Sequence, residues 1–350
     1  MGADRPSGLA PYRPLVRAAL LRSLQQVRDE VLSGRSTDLS VWAYDALEDM
    51  CRRPSKGLRG SLAAAVYDDA SGEQYAAVGL ALGAVLELMQ AYMLIVDDVM
   101  DMSAMRRGKP AVHELYQMRF GSSAHEAQMA AVTIGLLAQH AAALMTARLH
   151  ILPERLVGLT AAVHIQLSRT GLGQLDDLAQ HLGDATSLDD IVRKYAQKSG
   201  QYTFAGPLEC GLILAGKTDV GDACKKFGLA AGVAFQLQDD RTDLDELGKK
   251  ADRVFDDLHD GRCTWPLQYA YLHARPKGQT QLMAWVGDAG AQKHEAAAVR
   301  SVLEETGVYE ALAKEIRRYV RRAQVAAQSD HAPWSRGFAE VLCHEMASMG

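Results

Sequence analysis

Apolar residues recur at helical spacing along most of the chain, and short polar segments rich in glycine, proline and serine interrupt them. Helices repeat apolar positions every three or four residues, whereas half-buried strands alternate apolar and polar positions. We find no strand-like alternation of useful length and no long internal repeat. The pattern therefore predicts an all-α protein, with helices over residues 14–32, 42–50, 73–96, 124–149, 154–182, 191–210, 265–274, 293–306 and 309–327, and two more that begin at Ser61 and after a turn at 217–222.

Composition supports a large helical core. Hydrophobic residues make up 48% of the 350 residues, and alanine and leucine, which favour helices, are abundant while proline occurs only 10 times. Two segments stand apart from this pattern. Residues 1–14 carry glycine, proline and serine and are predicted to be flexible, and residues 245–264 are almost all polar and are predicted to form a loop or flap.

Charge and cysteine usage exclude several classes of function. The net charge is −5 without a strongly basic block, which argues against nucleic acid as the main partner. The five cysteines are scattered without a Cys-x-x-Cys pair, as in proteins of the reducing cytoplasm. The first 14 residues lack the apolar core of a signal peptide. The longest apolar region, residues 130–149, contains Gln139 and His140 and is predicted to be a buried helix rather than a transmembrane segment.

Two acidic runs about 140 residues apart share the pattern Asp-Asp-x-x-Asp. They comprise residues 97–101 and 239–243, and each follows an apolar stretch. In a helix, the first and third aspartates of each run lie on one face. Because like charges about 4 Å apart repel by about 4 kcal/mol near a protein surface, such clusters indicate a bound cation. Mg²⁺ prefers oxygen ligands and usually shares them with substrate phosphates, so it is the natural candidate. One run alone is more typical of a solvated helix end, but two identical runs favour a function.

Basic residues adjoin the first acidic run and also precede the helix at Ser61. The loop over residues 52–60 is basic and rich in helix breakers, and cations at a helix N-terminus favour anion binding. Arg106 and Arg107 follow the first run and have the bidentate geometry that phosphates prefer. On these residues alone, a solvated loop and a surface ion pair remain open as alternatives.

Taken together, these motifs resemble those of the trans-type isoprenyl diphosphate synthases of the polyprenyl synthetase family. The resemblance is good over residues 50–270 and rests on the two aspartate runs, an Arg-Arg-Gly after the first, a lysine midway and Gln-x-x-Asp-Asp at the second. It implies a single domain over residues 15–350, a bundle of long helices around a deep cavity with the two runs at its mouth. It also implies a cytoplasmic homodimer that condenses isopentenyl diphosphate with an allylic diphosphate.

The resemblance also assigns the metal site. Three Mg²⁺ ions would bridge the runs to the allylic diphosphate. The residues that match metal ligands or their close supports are Asp97, Asp98, Asp101, Asp239, Asp240 and Asp243.

Further residues match the two substrate sites of the family. Arg106 matches the arginine that holds the allylic diphosphate, and the isopentenyl diphosphate pocket corresponds to Lys56, Arg59, Gln90 and Arg107. The residues near the allylic group correspond to Lys198, Ser199 and Gln236, and the flap residues that close on its diphosphate correspond to Lys249 and Arg262.

Several positions depart from the usual family pattern. Gly60 stands where proline is usual, Arg262 replaces a lysine, and Ser199 replaces a common threonine. Gln90 occupies a position where many bacterial relatives have histidine. The pair Arg241-Thr242 lies inside the second run, where apolar residues are typical, and the side chain of Arg241 is predicted to face solvent.

In this family, side chains four, five and eight residues before the first aspartate form the floor of the cavity and limit the product length. Here these are Met93, Tyr92 and Met89. One aromatic beside a flexible methionine predicts a short product, C20 ahead of C15. In an unrelated protein, methionines at helical spacing would simply be core residues.

Two other functions compete with prenyl transfer. A terpene cyclase of the same fold needs a second metal motif that begins with Asn or Asp; Gln238, Thr242 and Glu246 have the spacing, but the first residue is wrong and the chain contains no asparagine. A cyclase would also have no use for the basic isopentenyl diphosphate pocket. A catalytically silent partner subunit is the other alternative, and the intact aspartates argue against it.

Overall fold

The computed structural model describes residues 8–34, 36–179, 182, 186–246, 262–285 and 293–348. It is helical nearly throughout, which confirms the predicted fold class. The helices are α1 (Tyr12–Val31), α2 (Asp38–Arg52), α3 (Leu58–Ser71), α4 (Ala77–Met100), α5 (Val112–Phe120), α6 (Ala124–Ala147), α7 (Pro153–Ala179), α8 (Leu188–Tyr195), a π-helical segment (Ala196–Ala205), α9 (Gly206–Leu214), α10 (Gly221–Glu246), α11 (Trp265–His273), α12 (Pro276–Trp285), α13 (Lys293–Glu305), α14 (Val308–Ala327) and α15 (Arg336–Ala347).

The structure differs from the predicted elements in several places. Helices α5, α12 and α15 were not predicted, and α3 begins three residues before Ser61. A two-stranded antiparallel hairpin, β1 (Met105–Arg106) and β2 (Lys109–Pro110), joins α4 to α5. Strands of two residues are too short to show alternation, so the pattern that identified the helices missed them. The second acidic run lies inside α10 rather than at its end.

Side-chain caps fix the starts of several helices. Ser187 and Asp190 form a capping box at α8, since the hydroxyl accepts from the Asp190 N–H and the carboxylate accepts from the Ser187 N–H. Thr37 and Ser123 cap α2 and α6 in the same way. Each cap satisfies backbone N–H groups that the first helical turn leaves unpaired.

The chain divides into two compact units, of which the first comprises residues 1–161 and 207–218. Helix α4 is its central element and contacts α1, α2, α3 and α6. Leu82, Val85, Leu88 and Ile95 on α4 are completely buried. The first acidic run therefore stands on a helix that is held on several sides by apolar packing.

The second unit comprises residues 162–206 and 219–350. Helix α10 packs against the π-helical segment and against α14. The contact is backbone to backbone, because a Cβ added at Gly232 would lie 2.1 Å from the Cα atom of Gly200. These glycines bring α10, which carries the second acidic run, directly against the segment that carries Lys198 and Ser199. Local π-helical widening is rare and is often found at functional sites.

Helices α4 and α6 are long and apolar enough to cross a membrane by length and composition alone. In the most apolar stretch of α4, 56% of the residues are buried inside the protein, and in that of α6 44% are buried. The predicted burial of residues 130–149 therefore holds for one face of α6, whereas Leu136 on the other face is 45% exposed.

Candidate active site

The first acidic run occupies the last turn of α4, and its second aspartate is turned inward. Asp98 is completely buried, whereas the Asp97 side chain is 29% exposed. The Nε atom of Arg106 donates to Asp98 Oδ1 at 2.6 Å, and Arg106 Nη2 lies 3.7 Å from Asp97 Oδ2. Burial raises the pKa of Asp98, and the hydrogen bond and charge of Arg106 only partly offset this. Asp98 thus holds an arginine in place beside the exposed Asp97.

The second run repeats this arrangement with a different partner. Asp240 is buried, and its Oδ2 accepts a hydrogen bond from the Tyr195 hydroxyl at 2.6 Å. The same hydroxyl oxygen accepts the backbone N–H of Trp265 at 2.9 Å, so it joins α8, α10 and α11. Asp239 is half-buried and Asp243 is exposed. In both runs, the second aspartate is fixed inside the protein and the outer two reach the surface.

Ser199 and Gln236 lie together next to the second run. The Ser199 hydroxyl donates to Gln236 Oε1 at 2.9 Å, and Gln236 Nε2 donates weakly to Asp240 Oδ1 at 3.4 Å. Lys198 is half-buried, and its Cβ lies against Gly173 of α7. The structure therefore groups these three predicted residues with the second run. Tyr195, one helical turn before Ser199, was not predicted, although a tyrosine at this spacing is a signal that could have identified it.

Arg107 occupies an unusual backbone conformation in the hairpin. Its φ is 53° and that of Gly108 is 78°, as in a two-residue type I′ turn. For a residue with a side chain, this conformation costs about 1–2 kcal/mol. Burial lowers the pKa of Arg107; nearby Glu87 opposes this shift, whereas Arg106 and Arg59 add to it. Two other predicted phosphate-binding arginines, Arg59 and Arg106, therefore lie within electrostatic range of Arg107.

The basic loop contributes fewer cations than its composition indicates. Arg52 is exposed and pairs with Glu48, while Arg53 is buried. Lys56 and Arg59 flank the start of α3, where the positive end of the helix dipole favours anions. Only these two of the loop cations are placed for a ligand.

Gly60, which stands where proline is usual in the family, has a structural explanation. Its N–H donates to Glu87 Oε1 at 2.9 Å, a bond that proline cannot make. A Cβ at this position would lie 2.6 Å from the carbonyl oxygen of Gly83. The glycine thus allows α3 to approach α4 closely. It also leaves Glu87, which lies near Arg107, anchored to the start of α3.

The remaining predicted residues on α4 face different surroundings. Gln90 has a buried side-chain oxygen that, within the described part of the chain, accepts no hydrogen bond. Met89 is 1% exposed, whereas Tyr92 and Met93 are partly exposed. The Tyr92 ring lies against Gly135 of α6, where a Cβ would be 3.5 Å from Tyr92 Cδ2. The same Cβ would lie 2.9 Å from Val96 Cγ2, so the close approach that glycine permits at 135 is to Val96, and the Tyr92 ring is in ordinary van der Waals contact.

Arg241 lies 3.8 Å from Asp245 and is 40% exposed, which agrees with its predicted solvent-facing position. The Thr242 hydroxyl bonds back to the Gln238 carbonyl within α10. Arg262 is half-buried. Lys249 and most of the predicted flap, residues 247–261, lie outside the described residues.

The donor chemistry of the two runs suits a hard divalent cation. No three His, Cys, Asp or Glu side chains in the described ranges already form a metal-binding group. Mg²⁺ does not require one, because it usually keeps several waters and is held by one or two carboxylates plus substrate phosphates. Asp98 Oδ2 is buried and, among these same residues, has no hydrogen-bond partner, as expected of a carboxylate that awaits a ligand.

The fold is that of the isoprenyl diphosphate synthases. A geranylgeranyl pyrophosphate synthase from Corynebacterium glutamicum, solved with isoprenyl diphosphate and magnesium, superposes with a TM-score of 0.82 at 23% identity over 97% of this chain and 96% of that one. A decaprenyl diphosphate synthase from Rhodobacter capsulatus superposes with a TM-score of 0.73 at 20% identity over 97% and 96%. Proteins named for products of quite different length therefore share the fold.

A model of the polyprenyl synthetase family matches residues 40–305, and the chain belongs to that family. The farnesyl pyrophosphate synthase of Saccharomyces cerevisiae is 30% identical over 207 residues, which are 57% of this chain and 55% of the yeast enzyme. The chain thus spans little more than half the length of this curated relative.

Proposed function

We propose that the protein is a Mg²⁺-dependent prenyltransferase that condenses isopentenyl diphosphate with an allylic diphosphate into a short trans-prenyl diphosphate. The observation that carries this proposal is the shared arrangement of the two Asp-Asp-x-x-Asp runs. In each, a buried second aspartate is held by a neighbouring side chain while the outer carboxylates remain accessible. Membership of the polyprenyl synthetase family supports the same conclusion.

The reaction begins with cleavage of the allylic C–O bond, which leaves a diphosphate anion and an allylic carbocation. Mg²⁺, of which we expect three ions, would be held by the outer carboxylates of the two runs and would supply positive charge to the departing diphosphate. Arg106 and Arg262 are proposed to hold the same diphosphate, together with Lys249. Fixed cations of this kind act by stabilising charge that develops in the transition state.

The carbocation requires oxygen dipoles rather than a base. Because Ser199 donates its only hydroxyl proton to Gln236, the lone pairs of its oxygen remain available to the cation. The Lys198 backbone carbonyl and the Gln236 amide are proposed to contribute further dipoles. The isopentenyl double bond then attacks the allylic carbon, a new C–C bond forms, and a proton is lost to the diphosphate.

Isopentenyl diphosphate is proposed to bind in the first unit, to Lys56, Arg59, Gln90 and Arg107. Two features support this pocket. The positive charges of Arg59 and Arg107 repel each other, and a bound diphosphate would neutralise them. The N-terminus of α3 adds the positive end of its helix dipole.

We propose a C20 product, with C15 second. Met89 and Tyr92 lie on the helix that carries the first run, about 12 Å and 8 Å before Asp97 at a rise of about 1.5 Å per residue. The bulk of Tyr92, supported by Gly135 behind it, is the proposed stop for the growing chain.

We also propose that the protein acts as a cytoplasmic homodimer. The outer face of α6 carries exposed apolar residues, including Met129 at 47% and Leu136 at 45% exposure, which a second copy would cover. Light scattering after size-exclusion chromatography measures this directly, and a monomeric mass at micromolar concentration would contradict it.

The decisive experiment is incubation with isopentenyl diphosphate and each allylic starter, with Mg²⁺ or with excess chelator, followed by product sizing. We expect diphosphate release and C20 products only with the metal. Cyclic hydrocarbons from a single allylic substrate would support a cyclase instead, and the absence of any product would support a silent subunit.

A further inference from the structure

Arg53 is the most completely buried charged side chain near the first acidic run, and the reaction proposed above does not use it. It directly follows α2, and its residue surface is 1% exposed. Its Nε and Nη2 atoms lie 3.0 and 2.9 Å from Asp49 Oδ2. Its Nη1 atom donates to the backbone carbonyl oxygen of Arg106 at 2.9 Å. One guanidinium thus ties the end of α2 to the first strand of the hairpin.

The other strand of the hairpin is tied to the same carboxylate. Lys109 Nζ donates to Asp49 Oδ1, the oxygen that Arg53 leaves open. Arg106 and Lys109 are cross-strand partners on either side of the two-residue turn. Asp49 and Arg53 therefore anchor both ends of the turn that contains Arg107.

This turn is the part of the hairpin that needs an anchor. Arg107 has the positive φ that L-residues avoid, and its side chain is held near other cations. The hairpin has only two residues in each strand, and an isolated hairpin of this kind is not stable in water. The contacts with α2 supply what the short strands cannot.

The neighbouring Arg52 shows that charge alone does not explain Arg53. Arg52 pairs with Glu48 at the surface and is 59% exposed. Burying a guanidinium is unfavourable unless its charge is paired and its donors are matched. Asp49 accepts from Arg53 Nε and the Arg106 carbonyl accepts from Nη1, whereas Nη2 is ion-paired with Asp49 Oδ2 and makes no hydrogen bond within the described residues. Burial of the second arginine thus serves a contact with the hairpin that the first does not make.

We propose that Arg53 is a positioning residue, which acts with Asp49 and Lys109 to hold the 105–110 hairpin so that Arg106 reaches Asp98 and Arg107 reaches its diphosphate. The inference rests on the proposed function only for the ligands of Arg106 and Arg107. The anchoring of the hairpin itself is independent of that function.

The kinetic test compares Arg53→Met with the matched exposed control Arg52→Met. We expect Arg53→Met to raise the KM for both diphosphates about tenfold or more, as loss of a charged hydrogen bond does, and Arg52→Met to stay within about twofold. Arg53→Lys should recover thermal stability but little of the KM, because one ammonium cannot span both partners as the planar fork does. Equal effects of Arg52→Met and Arg53→Met, or full kinetic recovery by lysine, would overturn the proposal.

A double-mutant cycle tests whether Arg53 acts through Arg106. In an Arg106→Met background, Arg53→Met should change the KM for the allylic diphosphate by less than about twofold, because the residue it positions is gone. An undiminished tenfold effect in that background would show that Arg53 acts by another route.

Hydrogen exchange separates this proposal from the proposed function, because it requires no activity. Amides of residues 102–111 should exchange at least about tenfold faster in Arg53→Met than in wild type or Arg52→Met, while those of α6 stay unchanged. If Arg53→Met fails to fold, Lys109→Met provides the same test from an exposed position. Unchanged exchange over residues 102–111 in a folded variant overturns the proposal even if prenyl transfer is confirmed, and faster exchange supports it even if prenyl transfer fails.

Discussion

The two acidic runs have the same spacing and the same pattern of burial, yet different chemistry holds them. In the first, the buried Asp98 is paired with the cation of Arg106. In the second, the buried Asp240 is held by the neutral hydroxyl of Tyr195, which also receives the backbone N–H of Trp265. The common feature is therefore the geometry, a fixed second aspartate between accessible ones, rather than the partner that produces it.

The residues that hold the two buried aspartates therefore have different roles. Arg106 touches both Asp97 and Asp98, so the first run is tied to a residue proposed to bind substrate. Tyr195 links α8, α10 and α11 and makes the second run part of the framework of its unit. Changes around the first run should therefore affect substrate binding, and changes around the second should affect stability.

The largest effect is expected from substitution of the outer carboxylates, which occupy equivalent positions in the two runs. Asp97→Ala and Asp239→Ala should each lower turnover by several orders of magnitude, because each removes an accessible metal ligand while the buried second aspartate stays in place. Circular dichroism should show an unchanged helical content. If one variant is inactive and the other retains near-normal turnover, the two runs are not equivalent and the proposed metal-binding role of the second is wrong.

The next largest effect concerns the cations around the first run. Lys56→Ala and Arg107→Ala should raise the KM for isopentenyl diphosphate by about 10- to 150-fold, the equivalent of losing about 1.5–3 kcal/mol from one charged contact to a phosphate. The KM for the allylic substrate serves as an internal control in the same steady-state measurements. A rise confined to the allylic KM would show that the two pockets have been interchanged.

Substitutions on α4, the helix that carries the first run, are expected to change the product length by one or two isoprene units. Tyr92→Ala should lengthen the product, because the ring that rests on Gly135 is the proposed floor, and Met89→Ala should add to the effect. Product sizing by chromatography is the measurement, with Met118→Ala at the exposed surface of α5 as a control. A wild-type product of C30 or longer, or an unchanged product distribution in Tyr92→Ala, would contradict the proposed product length but not the proposed prenyl transfer.

Sequence patterns predicted the helices and the aspartate runs because both are local and periodic. They did not predict the 105–110 hairpin, whose strands are too short to alternate, although Gly108 at the second turn position was a signal. The π-helical segment also lacked a local signal, since it follows from the packing of Gly200 against Gly228 and Gly232. The burial of Arg53 could not be seen in a basic loop, where Arg52 beside it is exposed. The burial of Asp240 likewise depends on a partner distant in sequence, since Tyr195 lies 45 residues before it.

Substitution of Tyr195, which holds the second run, is expected to have the smallest effect on catalysis. It also gives the sharpest test of the difference between the two runs. Tyr195→Phe should leave the KM values nearly unchanged and lower the free energy of unfolding by about 1–3 kcal/mol, because buried Asp240 loses a donor and the Trp265 N–H loses its acceptor. Urea denaturation measures the difference. Tyr271→Phe, which removes the hydroxyl of a half-buried tyrosine in α11, is the matched control.

The first run provides the contrast for this test. Arg106→Met leaves the buried Asp98 carboxylate without its cation, so it should lower the free energy of unfolding by more, about 3–5 kcal/mol, and should also raise the KM for the allylic diphosphate. If Tyr195→Phe raises a KM as strongly as Arg106→Met does, the second run is coupled to substrate just as the first is. In that case, the assignment of Arg106 to substrate binding and of Tyr195 to stability is wrong, although the shared burial pattern of the two runs would remain.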